Sequence, residues 1–265
     1  MEWMDFHMHT DASEDSDAPI DTMCDAAIRK GLTAIAITDH VEMVDYDNYA
    51  DTLVKSWRTS TEAAARYAGR LRIARGIELG EPLCNLPQTE EILRTHDFDF
   101  VLGSLHKLND NVDYYYYDYD HHDVYPTMDR YFDAVLEMVQ WGRFHSLAHL
   151  TYPFRYIPDE KQPADYRYWQ DRIDAILRTL AQTGKALEIN TSGVRQRPNG
   201  ITHPHLPIVR RFRELGGEYI TIGADAHRPE DVGADLDTAA AIAGQAGFRY
   251  LTMYFGGKAE CVPLA

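Results

Sequence analysis

Pro19-Ile-Asp-Thr-Met-Cys-Asp-Ala-Ala-Ile-Arg-Lys-Gly31, then Ala34-Ile-Ala-Ile-Thr38, then Asp39-His40: residues 19–40 hold the unit from which the rest of the chain is built. Ile20, Met23, Ala27 and Ile28 fall on one helical stripe, with proline near the start and Gly31 as a stop, so a helix is expected. The apolar run over 33–38 reads as a strand, and a histidine beside a carboxylate stands where that strand ends. The unit recurs. Strand-like segments lie at 2–6, 71–78, 99–104, 144–149, 186–190, 219–224 and 249–254. Helical stripes run from Met128 to Trp141, from Asp165 to Thr183 (stopped by Gly184) and from Pro207 to Leu215 (stopped by Gly216-Gly217). Regular alternation of this kind means parallel strands joined by right-handed crossovers. Seven or eight units favour a closed barrel over an open sheet. No GxGxxG follows the first strand, so a dinucleotide-binding sheet has no support.

The strand ends carry the chemistry. Six of the twelve histidines fall there: His7, His9, His40, His106, His149 and His227. In Asp5-Phe-His7-Met-His9 the strand period of two turns both imidazoles to one face. Glu78 ends Ile73-Ala-Arg-Gly-Ile77, and Asp225-Ala-His227 ends Tyr219-Ile-Thr-Ile-Gly223. A barrel brings all these ends to one mouth, and imidazoles with carboxylates converging on one rim make a metal site. Asp5 and Asp39 are read as acceptors that fix ligand imidazoles. Of the remaining histidines, at 96, 121, 122, 145, 203 and 205, most are read as solvated.

At 265 residues and 45% hydrophobic, the chain can bury a substantial core. No linker divides it, so a single domain over 1–265 is expected. The net charge of −16 argues against a nucleic-acid partner. Positive charge gathers only at Arg66–Arg75 and Arg210–Arg213, which read as helix faces or ends. There is no segment of membrane-spanning length and no signal-peptide pattern at the start. Cys24, Cys84 and Cys261 lack CxxC spacing and fit reduced thiols of a cytoplasmic protein. Oligomeric state leaves no trace in the sequence.

In residue type and in order, His7-x-His9, Asp39-His40, Glu78, His106, His149 and Asp225-x-His227 resemble the metal set of the PHP (polymerase and histidinol phosphatase) family. Gly103-Ser-Leu-His106, Ala148-His-Leu-Thr-Tyr152 and Leu187-Glu-Ile-Asn190-Thr-Ser-Gly193-Val-Arg195 are similar to its stand-alone histidinol-phosphate phosphatases. The resemblance implies an α/β fold, a distorted (β/α)7 TIM-like barrel with the metal site at the C-terminal face of the strands. It places 249–254 outside the barrel. It implies one metal held by His7, His9, Glu78 and Asp225, a second sharing Glu78 with His106 and His149, and a third at Asp15, His40 and His227. Glu14 or Asp17 is the alternative to Asp15. The cofactors would be two to three divalent transition metals, Zn, Mn or Fe. The implied reaction is hydrolysis of L-histidinol phosphate to histidinol and phosphate, with a hydroxide held by the metals as nucleophile.

The partner is then a small phosphorylated substrate. Arg155 and Arg195, on the loops after the fifth and sixth strands, match a phosphate bidentately. Asn190 is a candidate substrate contact, while Glu188 is equally a support for a ligand. Asp225 and His227 are candidates for catalytic proton transfer, and Glu78 for bridging the metals. The long connections 107–127 and 150–164 start at ligand positions and should border the pocket. For the alcohol half of the substrate, Asp113, Asp118, Asp120 and the tyrosines of 114–119 remain open, although that tyrosine run also reads as a packed loop anchor. Alternatives are another small phosphomonoester, a nucleotide or a phosphotyrosine peptide as substrate, or a metal-binding scaffold without catalysis. A nuclease is opposed by the charge.

Overall fold

The structure is a computed structural model that describes every residue except 1, 108–110, 164, 197–199 and 265. Among the described residues, seven parallel strands form one sheet: β1 (Trp3–Asp5), β2 (Leu32–Ile37), β4 (Arg72–Gly80), β5 (Phe100–Ser104), β6 (Ser146–Leu147), β7 (Ala186–Asn190) and β8 (Ile220–Gly223), paired in that order. The ring nearly closes just beyond the strands. Phe6 N donates to Ile222 O at 2.9 Å, and His9 N donates to Ala226 O at 2.9 Å. Closure therefore falls at the C-terminal rim, where the expected ligands stand. This is the expected (β/α)7 architecture.

A short β3 (His40–Glu42) adds to the upper half of β4, with His40 opposite Glu78. Nothing in Val41-Glu42 set this strand apart from a loop. The helices are α1 (Ile20–Arg29), α2 (Tyr46–Arg66), α3 (Leu86–Thr95), α4 (Val124–Trp141), α5 (Gln170–Thr183), α6 (Ser192–Gln196), α7 (Leu206–Glu214) and α8 (Leu236–Gln245). On α1 the buried residues Ile20, Met23 and Ala27 match the expected stripe. The α4 helix starts four residues before Met128, because Asp123 accepts a hydrogen bond from Tyr125 N at its entry. Gly142 and Gly184 take left-handed conformations (φ 68° and 65°) that end α4 and α5.

The last strand-like segment lies outside the barrel. There β9 (Tyr250–Phe255) pairs antiparallel with β10 (Lys258–Pro263) in a separate sheet. This hairpin sits against the start of β5: Asp99 accepts hydrogen bonds from Gly256 N and Gly257 N, and Tyr254 stacks on Phe100 at 5.4 Å. No helix among the described residues is long and apolar enough to cross a membrane.

Candidate metal centre and phosphate site

His106, His149 and Asp225 stand just past the ends of β5, β6 and β8, whereas Glu78 lies inside β4, two residues before its end. Glu78 is central. Its Oε2 lies 3.1 Å from His7 Nε2, 3.5 Å from His9 Nε2 and 3.1 Å from His40 Nδ1. Its Oε1 lies 3.1 Å from His106 Nε2 and 3.0 Å from His149 Nε2. Asp225 Oδ1 completes the first cluster, 3.6 Å from His7 Nε2 and 3.4 Å from His9 Nε2. Asp225 has a positive φ of 54°, a strained conformation that recurs at functional sites. The close approach of β8 to β1 depends on Gly223, where a Cβ would collide with that of His7. At the third cluster Asp15 Oδ2 lies 2.9 Å from His227 Nε2 and 3.6 Å from His40 Nε2. Glu14 turns away to accept a hydrogen bond from Tyr49 Oη at 2.6 Å. The rings of His40 and His227 both stack on His9, at 4.2 and 4.1 Å, so His9 belongs to the first and third clusters alike.

Burial would raise the carboxyl of Glu78, but the charges of His7, His40 and His106 outweigh it and hold it well below the usual range. The same balance of burial against His7, His9 and Arg155 keeps Asp225 ionised. Burial, reinforced by His227 and His40, lowers His9 to about 3, and burial lowers His149 as well. Both stay neutral, the form in which an imidazole ligates. His7, His40 and His106 are raised despite burial by the facing carboxylates, so cations compete with protons there. Among the described residues His9 Nε2, His40 Nδ1 and His227 Nε2 are buried without a hydrogen-bond partner. Unpartnered imidazole nitrogens facing ionised carboxylates, with no thiolate nearby, fit divalent transition metals.

Several expectations need correction. Asp5 and Asp39 do not fix imidazoles. Asp5 accepts from the backbone N–H groups of Ala224 and Gly233, and Asp39 from Thr10, Ser13 and Ser56, so both pin backbone and loop. Two of the imidazoles are oriented by other carboxylates. Glu188 Oε1 lies 2.7 Å from His7 Nδ1, and Glu42 Oε1 lies 3.0 Å from His106 Nδ1. Of the histidines read as mostly solvated, His121 and His122 are exposed, but His203 is buried against Thr151 and His145 accepts from Val101 N. Asn190 is fully buried beneath the site. Its Oδ1 accepts from Ser192 Oγ at 2.6 Å, and its Nδ2 lies 3.3 Å from both Asp225 Oδ2 and Glu188 Oε2.

The two arginines part company. Arg155 is buried at the cavity wall, with Nη2 donating to Ser192 Oγ at 2.6 Å and lying 3.4 Å from Asp225 Oδ2. Arg195 Nη2 instead donates to the carbonyl oxygens of Ala224 and Asp225, and its Nε faces Asp231. Arg195 thus braces the backbone behind Asp225 and does not line the cavity. Ser192, Lys107 and Tyr156 were missed, since a lone polar residue on a loop or at the start of a short helix carries no spacing signal.

Above the clusters lies a cavity of about 270 Å³, lined by Asp15, His40, Glu78, His106, His149, Arg155 and Asp225 and rimmed by Asp113, Tyr116 and Tyr156. Both long loops reach it, although 108–110 and 164 lie outside the described residues. Tyr114 and Tyr119 of the tyrosine run are buried anchors, whereas Tyr115 and Tyr116 are exposed. A larger groove of about 570 Å³ beside α4 shares Lys107 with this cavity but none of the clustered histidines.

Known proteins follow the same outline. The "Probable histidinol-phosphatase" of Thermotoga maritima (strain ATCC 43589) is 29% identical over 253 residues, covering 94% of this chain and 95% of that protein. The "Histidinol-phosphatase" of Lactococcus lactis subsp. lactis (strain IL1403) is 27% identical over 263 residues, covering 98% and 97%. The crystal structure of histidinol phosphate phosphatase from that Lactococcus, complexed with Zn, L-histidinol and phosphate, superposes with a TM-score of 0.86 at 26% identity. It covers 98% of this chain and 99% of that one. The PHP domain model matches residues 5–192, well over half of the chain, and the chain belongs to the PHP domain family.

Proposed function

We propose that this protein hydrolyses L-histidinol phosphate to histidinol and phosphate, using two to three divalent metals of which Zn is one. The observation that carries the reading is the buried Arg155 guanidinium set against Asp225, in the cavity that the Glu78-centred histidines also line. When bound, the metals supply Lewis-acid charge and a nucleophile that is active near neutral pH. His7, His9, Glu78 and Asp225 would hold the first, Glu78, His106 and His149 the second, and Asp15, His40 and His227 the third. Arg155 grips the phosphate as a planar fork, and Ser192 holds that fork in place. Asn190 and Glu188 keep Asp225 and His7 in register from below. His227 Nδ1 lies 3.1 Å from the backbone carbonyl oxygen of Asp225, which would hold the ring with its Nε2 toward the third position.

The leaving group is cationic and aromatic, and the rim suits it. Asp113 and Tyr116 border the cavity, whereas Asp118 pairs with His121 and Asp120 with Lys161. Asp113 and Tyr116 are therefore the residues assigned to the amine and imidazole. Steady-state kinetics on a panel of phosphomonoesters tests the reading. Histidinol phosphate should have the highest kcat/KM, with nucleotides and phosphotyrosine peptides well below it. A flat profile, or a better substrate without an amine, would overturn the substrate while leaving the phosphatase. Absence of turnover on every ester by metal-loaded protein would favour the scaffold.

A further inference from the structure

Glu42 belongs to none of the metal clusters assigned above, yet its carboxylate faces two of them. His40 and Glu42 are alternate residues of β3 and so share a face. Glu42 Oε1 lies 3.0 Å from His106 Nδ1, a hydrogen bond, and 3.3 Å from His40 Nδ1, a charge contact without hydrogen-bond geometry. The carboxylate has little room to move. It sits opposite Gly80 on β4, where any Cβ would run into it. His106 is held from a second side by Glu81, a residue at φ 45° whose Oε1 accepts from the backbone N–H of both His106 and Lys107, at 2.6 and 2.8 Å.

We propose that Glu42 is a positioning residue whose single carboxylate orients His106 and His40 together, so that the second and third metal positions gain or lose affinity as a pair. This rests on the metal-dependent reading above. A carboxylate that fixes the second nitrogen of a ligand imidazole sets the ring's orientation and basicity, and losing it costs roughly 10- to 100-fold in metal affinity. Here one carboxylate serves two rings that belong to different metals. The first position, held by His7, His9 and Asp225, takes its support from Glu188 instead.

The test titrates metal-free protein with Zn²⁺, by calorimetry and by elemental analysis after dialysis. Glu42→Ala should keep the first equivalent at wild-type affinity and bind all others roughly 10- to 100-fold more weakly. Glu42→Gln, whose amide oxygen still accepts one N–H, should show a smaller loss at the same positions, and it carries the test if the alanine variant does not fold. Asp15→Ala should lose one equivalent only. The proposal is overturned if the Glu42 variants bind every equivalent like wild type, or if they lose one equivalent as Asp15→Ala does, which would make Glu42 a ligand of a single metal. If wild type itself binds no Zn²⁺, the metal reading fails and the positioning role with it.

Discussion

His145 and His149 stand four residues apart at opposite ends of β6, and only one faces the cavity. His145, before the strand, uses its Nδ1 lone pair to accept a hydrogen bond from Val101 N at 2.8 Å and stacks on Tyr254 of the hairpin. Its lone pair is spent on the fold. His149, after the strand, takes its backbone support from Glu188, whose Oε2 accepts from His149 N. That leaves its Nε2 beside Glu78 Oε1 and 3.3 Å from His106 Nε2. Burial lowers both imidazoles, so protonation does not separate them. Position along the strand does: in a parallel barrel one end packs against the fold and the other opens on chemistry.

The strongest way to break this contrast is to remove each ring. His149→Ala should lower turnover on the order of 10³-fold or more, because a metal contributes several kcal/mol to the transition state, and it should lose bound metal. His145→Ala should keep its metal and near-wild-type turnover but lose about 1–3 kcal/mol of stability in urea unfolding, since Val101 N is left without an acceptor. Equal turnover in the two variants would dissolve the distinction. Next in size is Arg155→Ala, expected to cost roughly 10- to 100-fold in kcat/KM for every phosphomonoester at unchanged metal content. Arg155→Lys should recover part of that loss. An effect confined to histidinol phosphate would instead assign Arg155 to the leaving group. Asp15→Ala should impair turnover while Glu14→Ala behaves like wild type, and the reverse would show the loop register shifted by one residue.

The smallest effect concerns pH. Burial and the charge of Lys185 lower folded His145 to about 4, against an ordinary value of 6.5. Between these values the unfolded chain binds more protons. The contribution is therefore complete above pH 6.5 and fades as the pH falls toward 4. The stability gap between wild type and His145→Gln should accordingly be wider at pH 7.5 than at pH 5. An equal gap at both would mean that His145 does not titrate in that window.

Much of the rim was legible because strand-end histidines are spaced by the barrel itself. His7-x-His9, His106 and His149 follow apolar runs whose ends are visible in the letters. What was hidden depends on contacts between segments distant in sequence. Glu42 gains meaning only when β3 docks on β4, a strand of three residues with no apolar run to mark it. Asp5 looked like a support for imidazoles because it precedes His7, but the donors nearest to it are the backbone amides of Ala224 and Gly233, both past the end of β8. Arg155 and Arg195 were indistinguishable as loop arginines until packing tied one to the carbonyls behind Asp225. The partner strand β10, Lys258-Ala-Glu-Cys-Val-Pro263, is too polar to read as a strand, and pairing with β9 supplies what its composition lacks.

Phosphate release from L-histidinol phosphate by metal-free protein, as Zn²⁺ equivalents are added back one at a time, tests the metal-dependent phosphatase most directly. Turnover should be absent without metal, appear with the added equivalents and plateau at two to three. His149→Ala should stay near zero throughout, and His145→Ala should follow wild type. Full turnover by the metal-free protein, or none at any stoichiometry with the fold intact, would contradict it.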